Sequence, residues 1–365
     1  MDYSNGKVVI AIDSFKGSLT SAQANEAAAR AFAGADTHRL AVSDGGDGML
    51  DAFAAATGAR IEHVTVHDLM MRRRTARYGV MPDGTALVEV AEAVGLGLVK
   101  PDERNPMRST SYGVGEILAA AIRRGQRRFV VGLGGTGTSD AGIGMLRALI
   151  DAFGTKSASG GVVGGIDPVL AGVLSQCSFT LASDVDNPLC GPNGAASVYG
   201  PQKGATPEMV EQLDGRARRF ADFSRRHYQR DMSCVPGAGA AGGLGYAFMQ
   251  YLGAGVESGA DVLLRLAGFD GMLSGASLVV TGEGCADGQT LMGKLPSRIL
   301  AHAHRCGVPV WLVAGRVADR DLLLGAGFER VMQVSPTGMP LSEAMRPDVA
   351  AGNIVSALAR AISAF

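Results

Sequence analysis

Charge of either sign is not in excess. Over 365 residues there are 34 Lys and Arg against 35 Asp and Glu, a formal net charge of −1. With no global field, the chain is not built to attract nucleic acid or an anionic membrane. Basic clusters do occur at 70–77, 123–128 and 216–230. The last two read as solvated helix faces or helix ends. Cysteines are few and unpaired in spacing: five, at 177, 190, 234, 285 and 306, with no C-x-x-C. The odd count and wide spacing argue for reduced thiols in a cytosolic chain. A long apolar run is also lacking. The greasiest stretch, 237–255, is broken by Gly and by Gln250, so no membrane span is expected. The first residues show no charged n-region with an apolar core, so no signal peptide is expected. Also missing are G-x-S-x-G and H-E-x-x-H, which disfavours serine-hydrolase and zinc chemistry. His302 and His304 stand two apart on an expected helix, face different ways, and cannot share a metal.

Aromatic residues are scarce at 5 %, while Gly is abundant at 52 residues. Abundant Gly suits a backbone that approaches a ligand closely at several turns, and equally the helix ends of an α/β protein. The length allows roughly two domains at about 150 residues each.

The apolar run 7–13 reads as a buried strand. A loop follows, and Ser18 or Thr20 can cap a helix ending near Gly34. Residues 38–42, a helix at 49–58 and a strand at 60–66 complete a β-α-β-α-β order, which calls for a parallel sheet. The C-terminal part repeats this alternation, with strands at 277–282, 308–315 and 329–334 and a last helix at 349–365. Both chain ends are therefore expected to form one doubly wound, Rossmann-like α/β domain, residues 1–66 with 279–365. Residues 67–278 are expected to form an inserted second α/β domain. Strand candidates at 127–135 and 179–186 make that boundary permeable, since either could join the first sheet.

In open α/β sheets ligands bind beyond the carboxyl ends of strands. Asp13, Ser14 and Lys16 follow the first strand; Asp44 and Asp47 follow the second. Gly134 to Asp140 follow the strand at 127–133, Asp184 and Asp186 follow 179–183, and Glu283, Asp287, Gln289 and Lys294 follow 277–281. Asp and Gly are ordinary turn residues; carboxylates and ammonium groups at so many strand ends point to a polar site. Two motifs refine this. Residues 288–294 spell G-x4-G-K, close to a Walker A loop, yet Leu295 follows where Ser or Thr would hold magnesium. Residues 132–137 spell G-x-G-x-x-G, but the acidic residue expected about 20 positions later is missing, so the amides read as holding phosphate or another anion, not NAD. A nicotinamide-dependent reductase of a small hydroxy acid is the alternative reading; it calls for that acid and a catalytic His. Phosphoryl transfer needs amide-cradled phosphates, cations and oxygen ligands for magnesium. Gly loops, Lys16, Lys203, Lys294 and the loop Asp residues supply such groups.

These motifs together resemble the bacterial type I glycerate kinases (glycerate 2-kinases). The blocks are DSFKGSLTS at 13–21, SDGGDGMLDAF at 43–53, NPMRSTSYGVGEIL at 105–118 and GLGGTGTSDAGIGML at 132–146. SDVDNPLCGPNGAASVYGPQKGATPEMV at 183–210, GAGAAGGLGYAF at 237–248 and TGEGCADGQTLMGKLP at 281–296 continue them in the same order. The resemblance implies a two-domain α/β enzyme with its site in the interdomain cleft. It implies ATP and Mg2+ as cosubstrate and cofactor, D-glycerate as acceptor and 2-phosphoglycerate as product. A cytoplasmic enzyme with a small-molecule substrate is expected, with a homo-oligomer open. The chain departs from the family pattern T-G-E-G-R-I-D-G-Q at Cys285 and Ala286, and from D-G-G-E-G at Asp47.

On this reading Asp184 is the candidate general base, or else a turn-forming Asp; Asp186 is a second candidate base or a magnesium ligand. Lys16 faces phosphate or the glycerate carboxylate, and Lys294 is the phosphate cation. Glu283 orients it or, like Asp287, acts through magnesium. Arg72 can pair with the glycerate carboxylate, or be one of three solvated Arg in a row. Asp44 and Asp47 are cation ligands or helix caps. Ser14, Arg72, Asp44 and Gln289 are assigned to substrate, and Gly134, Gly135, Thr136, Asp140, Lys203 and Glu283 to nucleotide.

Overall fold

A computed structural model describes residues 6–42, 48–154 and 168–363. Eleven strands are present among them: β1 Lys7–Ile12, β2 Asp36–Arg39, β3 Arg60–His67, β4 Arg73–Val80, β5 Ala86–Glu89, β6 Arg128–Gly132, β7 Ser178–Ala182, β8 Gly255–Glu257, β9 Ala276–Ala286, β10 Val310–Val317 and β11 Arg330–Gln333. The fold is α/β, with two sheets flanked by helices. The described residues fall into two compact units, one bounded as Met1–Asp44, Asp51–Thr57 and Ala260–Phe365, the other as Gly45–Leu50 and Gly58–Gly259.

In the first unit the sheet runs β11-β10-β9-β1-β2, and every pairing is parallel. Counted in chain order, that is the 2-1-3-4-5 arrangement, whose topological switch point lies between β1 and β9. Parallel strands buried on both faces need apolar side chains on both, and β1 and β9 have them. Leu278, Val280, Trp311 and Val313 face a layer made by Ala24, Ala27 and Ala28 of the helix Ser21–Arg30 and by Ile354 and Leu358 of the helix Pro347–Ser363. Val279, Thr281, Val310 and Leu312 alternate with these and are equally buried. The helix Leu295–Arg305 contacts β9 and β10 and gives no residue to the first layer, so it covers this second face.

The second unit has a sheet of order β3-β4-β5-β6-β7-β8. β3 and β4 pair antiparallel over eight residues, β4 and β5 also run antiparallel, and β5 through β8 are parallel. This departs from the β-α-β-α-β expectation, which puts β3 beside β1 and β2 in a parallel sheet; β3 is instead the edge strand of this second one. Its side chains explain why: Glu62, His63, Thr65 and His67 leave it half exposed, which an antiparallel edge tolerates and a doubly covered parallel strand does not. The two strands whose sheet the sequence leaves open, β6 and β7, are adjacent parallel strands of this second sheet. Because β3 runs parallel to β5, the turn after β3 lies at the same edge as the carboxyl ends of β5 to β8.

Candidate active site

At the switch point of the first sheet, the chain leaves β1 through Asp13, whose N–H donates to Gly282 O at 2.9 Å. Ser14 N donates to the Asp13 carboxylate at 2.7 Å, and Phe15 N to Leu19 O at 2.9 Å, closing a tight loop that leaves Lys16 exposed. Thr20 then caps the helix Ser21–Arg30 in a capping box with Gln23. Two buried polar residues of that helix fix the loop's base. Asn25 accepts from Ile12 N at 2.8 Å and donates to Leu40 O at 2.7 Å. Ser21 Oγ donates to Ile12 O at 2.6 Å and accepts from Val42 N at 2.9 Å. The carboxyl end of β1 and the chain leaving β2 are thus held by one helix.

β9 passes beside this loop at Gly284. A Cβ there would sit 3.7 Å from Phe15 Cα and 3.9 Å from Lys16 N, so the two backbones approach closely. Next to it Glu283 is buried, accepting from Thr290 Oγ1 at 2.6 Å and from Lys294 Nζ at 3.5 Å. Desolvation raises its pKa above the usual carboxylate range, against the lowering effect of Thr290 and Lys294. Lys294 is nearly half exposed and stands at the N-cap of the helix Leu295–Arg305. Asp287 caps the short turn Gly288–Leu291, accepting from Gln289 N at 2.9 Å. Ser14, Lys16, Glu283, Asp287, Gln289 and Lys294 therefore all lie at the carboxyl edge of this sheet, just beyond or beside β1 and β9.

The second unit carries its own cluster. Lys203 is 3 % exposed; its Nζ donates to Thr138 O at 2.7 Å and to Thr136 Oγ1 at 3.3 Å. Burial lowers its pKa to about 8, with Asp140 opposing the shift. The Asp140 carboxylate accepts from Ser111 N and Oγ, Thr110 Oγ1, Gly142 N and Gly144 N at 2.8–3.4 Å. Both side chains are thus occupied in shaping the loop after β6, on which Gly134 and Gly135 are the more accessible residues. Arg72 lies in the turn after β3: its Nε donates to Asp68 at 2.8 Å, Glu103 is 3.6 Å from Nη1, and half of the side chain is exposed. The Asp68–Arg72 turn adjoins the loop, since Thr110 N donates to Leu69 O and a Cβ on Gly137 would meet Leu69. Asp184 and Asp186 are exposed just past β7.

Asp44 and Asp47 lie outside the described residues. Among the described residues no three of His, Cys, Asp and Glu gather as a metal cluster, and no helix is long and apolar enough to cross a membrane. The dinucleotide alternative lacks its geometry. The helix after the Gly loop starts only at Ile143, and Asp151 lies inside it, bonded to Tyr112 and Arg147. His302 and His304 have separate partners, Asp270 and Gly327 O. Sequence reasoning does not single out Thr290, Asn25, Ser111 or Asp68. Only Thr290 carries a local signal, its place inside the G-x4-G-K stretch; the others act on partners that no local motif announces.

The glycerate kinase family model matches residues 8–365. The chain is 39 % identical to a glycerate kinase of Bacillus subtilis over 357 residues, covering 93 % of this chain and 92 % of that one. It is 35 % identical to the glycerate 2-kinase of Escherichia coli over 359 residues, 93 % of each. A solved structure named as a putative glycerate kinase 2, from Salmonella typhimurium LT2, matches with a TM-score of 0.84 at 35 % identity, covering 99 % of this chain and 98 % of that one.

Proposed function

The chain belongs to the glycerate kinase family and is a kinase, and we propose that it transfers the terminal phosphoryl group of ATP to the 2-hydroxyl of D-glycerate. The acceptor and the 2-position are supported by the names of its relatives. The observation that carries the phosphoryl chemistry is the Lys294–Glu283–Thr290 constellation beside the Lys16 loop, at the switch point where open α/β sheets bind ligands.

In phosphoryl transfer charge spreads over the equatorial oxygens, and catalysis is mostly positioning and charge stabilisation. Lys16 and Lys294 supply positive charge to the phosphates. Glu283, anchored by Thr290, fixes the Lys294 ammonium and limits its rotamers. Lys203 is too buried to touch a ligand, so it and Asp140 act by holding the loop of Gly134, Gly135 and Thr136 in shape. Arg72, anchored on Asp68, is assigned to the acceptor carboxylate, which takes the place of the exposed Glu103. Asp184 accepts the hydroxyl proton as the phosphoryl group arrives.

The described carboxylates form no cage for Mg2+. Mg2+ is commonly held mainly by phosphates and water with one or two carboxylates; Asp287, or else Asp186, is assigned to that contact. When bound, Mg2+ neutralises charge on the triphosphate.

Asp184→Asn tests the assignment of the base. Glycerate-dependent ADP release should fall by about 100-fold or more, as loss of a general base requires, while ATP affinity measured by titration stays near the parent value. Near-normal turnover would reassign the base.

A further inference from the structure

Arg316 is exposed at the carboxyl end of β10, and among the described residues its side chain has no hydrogen bond or ion pair. Its register partner on β9 is Cys285. Directly paired residues of a parallel sheet point to the same face, and faces alternate along a strand. Arg316, Cys285 and Glu283 therefore share one face. It is the face on which Lys294 reaches Glu283, and the helix Leu295–Arg305 begins there. The opposite face is filled: Trp311 and Val313 are core, and Phe15 lies over Gly315.

Among the described residues no acid forms an ion pair with Arg316. Glu283 is engaged by Thr290 and Lys294, Asp287 accepts from Gln289 N, and Asp319 accepts from Gly288 N at 2.8 Å. The backbone of Arg316 lies one strand spacing (about 4.8 Å) from β9, two residues beyond Ala314, the register partner of the Glu283 that Lys294 reaches. Glu283 is the counter-ion of Lys294, whereas Arg316 has none among the described residues, so a positive charge is left on this face for an anion.

We propose that Arg316 binds the phosphates of the nucleotide, together with Lys294, on the Glu283 face of the first sheet. The proposal rests on the phosphoryl-transfer reading above. Guanidinium suits this task because its planar fork offers two parallel N–H groups to a phosphate. The same register makes position 285 an equivalent place for such a group, since a long side chain there starts on the same face one strand away.

The test uses the full chain with ATP, Mg2+ and D-glycerate. Arg316→Ser should raise the KM for ATP and its Kd by titration about 10-fold or more, the loss of a charge-assisted hydrogen bond, with the KM for glycerate changed by no more than about twofold. Adding Cys285→Arg to that variant should recover most of the lost affinity. An unchanged ATP affinity in Arg316→Ser, or an effect confined to glycerate, overturns the proposal. So does a double variant as weak as the single one. If the parent protein binds ATP but forms no product from glycerate, the acceptor reading fails while the titration still judges Arg316.

Discussion

At the scale of single residues, Lys203 shows how burial decides a role that residue type leaves open. As a sequence symbol it is a cation in a Gly-rich stretch, and phosphate is the natural partner. In the structure it is 3 % exposed and its hydrogens go to Thr138 O and Thr136 Oγ1. Nothing local foretells this, because Thr136 and Thr138 are 67 and 65 positions away. Burial lowers its pKa from 10.5 to about 8, which has a measurable consequence. Between those values the unfolded chain binds a proton that the folded chain does not, so this residue's contribution to stability rises with pH across the window. The gap corresponds to an effect on the order of 3 kcal/mol. Thermal unfolding of the parent and of Lys203→Met from pH 7.5 to 10 should show the difference moving in favour of the parent as pH rises. A difference that does not change with pH would contradict the assignment.

At the scale of elements, strands are legible where both faces are buried and the run is continuously apolar, as in β1, β9 and β10. A cap at Ser18 or Thr20 is legible in the sequence, and the capping box with Gln23, three residues on, places it at Thr20. β3 is recognisable as a strand, but its sheet is not, since pairing partners are chosen across space and a half-exposed alternating strand fits an antiparallel edge. The loop after β6 is recognisable as glycine-rich, but what shapes it is not. It interlocks with the segment Ala241–Gly243, whose three residues are all left-handed. A Cβ on Gly242 would stand 2.0 Å from Thr138 O, and Gly242 has φ +69°. Gly242→Ala should therefore cost about 3 kcal/mol or more, from backbone strain and overpacking together. Denaturant unfolding measures it, and a loss below about 1 kcal/mol would show that the two segments yield easily.

At the scale of the whole molecule, a parallel sheet from both chain ends and a mixed sheet from the middle each bring polar residues to their carboxyl edges. This much follows from counting strand ends in the sequence. Which side chains remain accessible does not. Asp140 is enclosed by donors near residue 110, whereas Lys16, Lys294, Arg72 and Asp184 remain accessible at their edges. Residues 43–47, which carry Asp44 and Asp47, lie outside the described structure. The central claim is that these edges serve transfer of a phosphoryl group to glycerate. Phosphorus NMR of the purified protein incubated with ATP, Mg2+ and D-glycerate tests it most directly. The account expects ADP and a new resonance of 2-phosphoglycerate growing together. ATP left intact, or hydrolysed to free phosphate with no phosphoester formed, would contradict it.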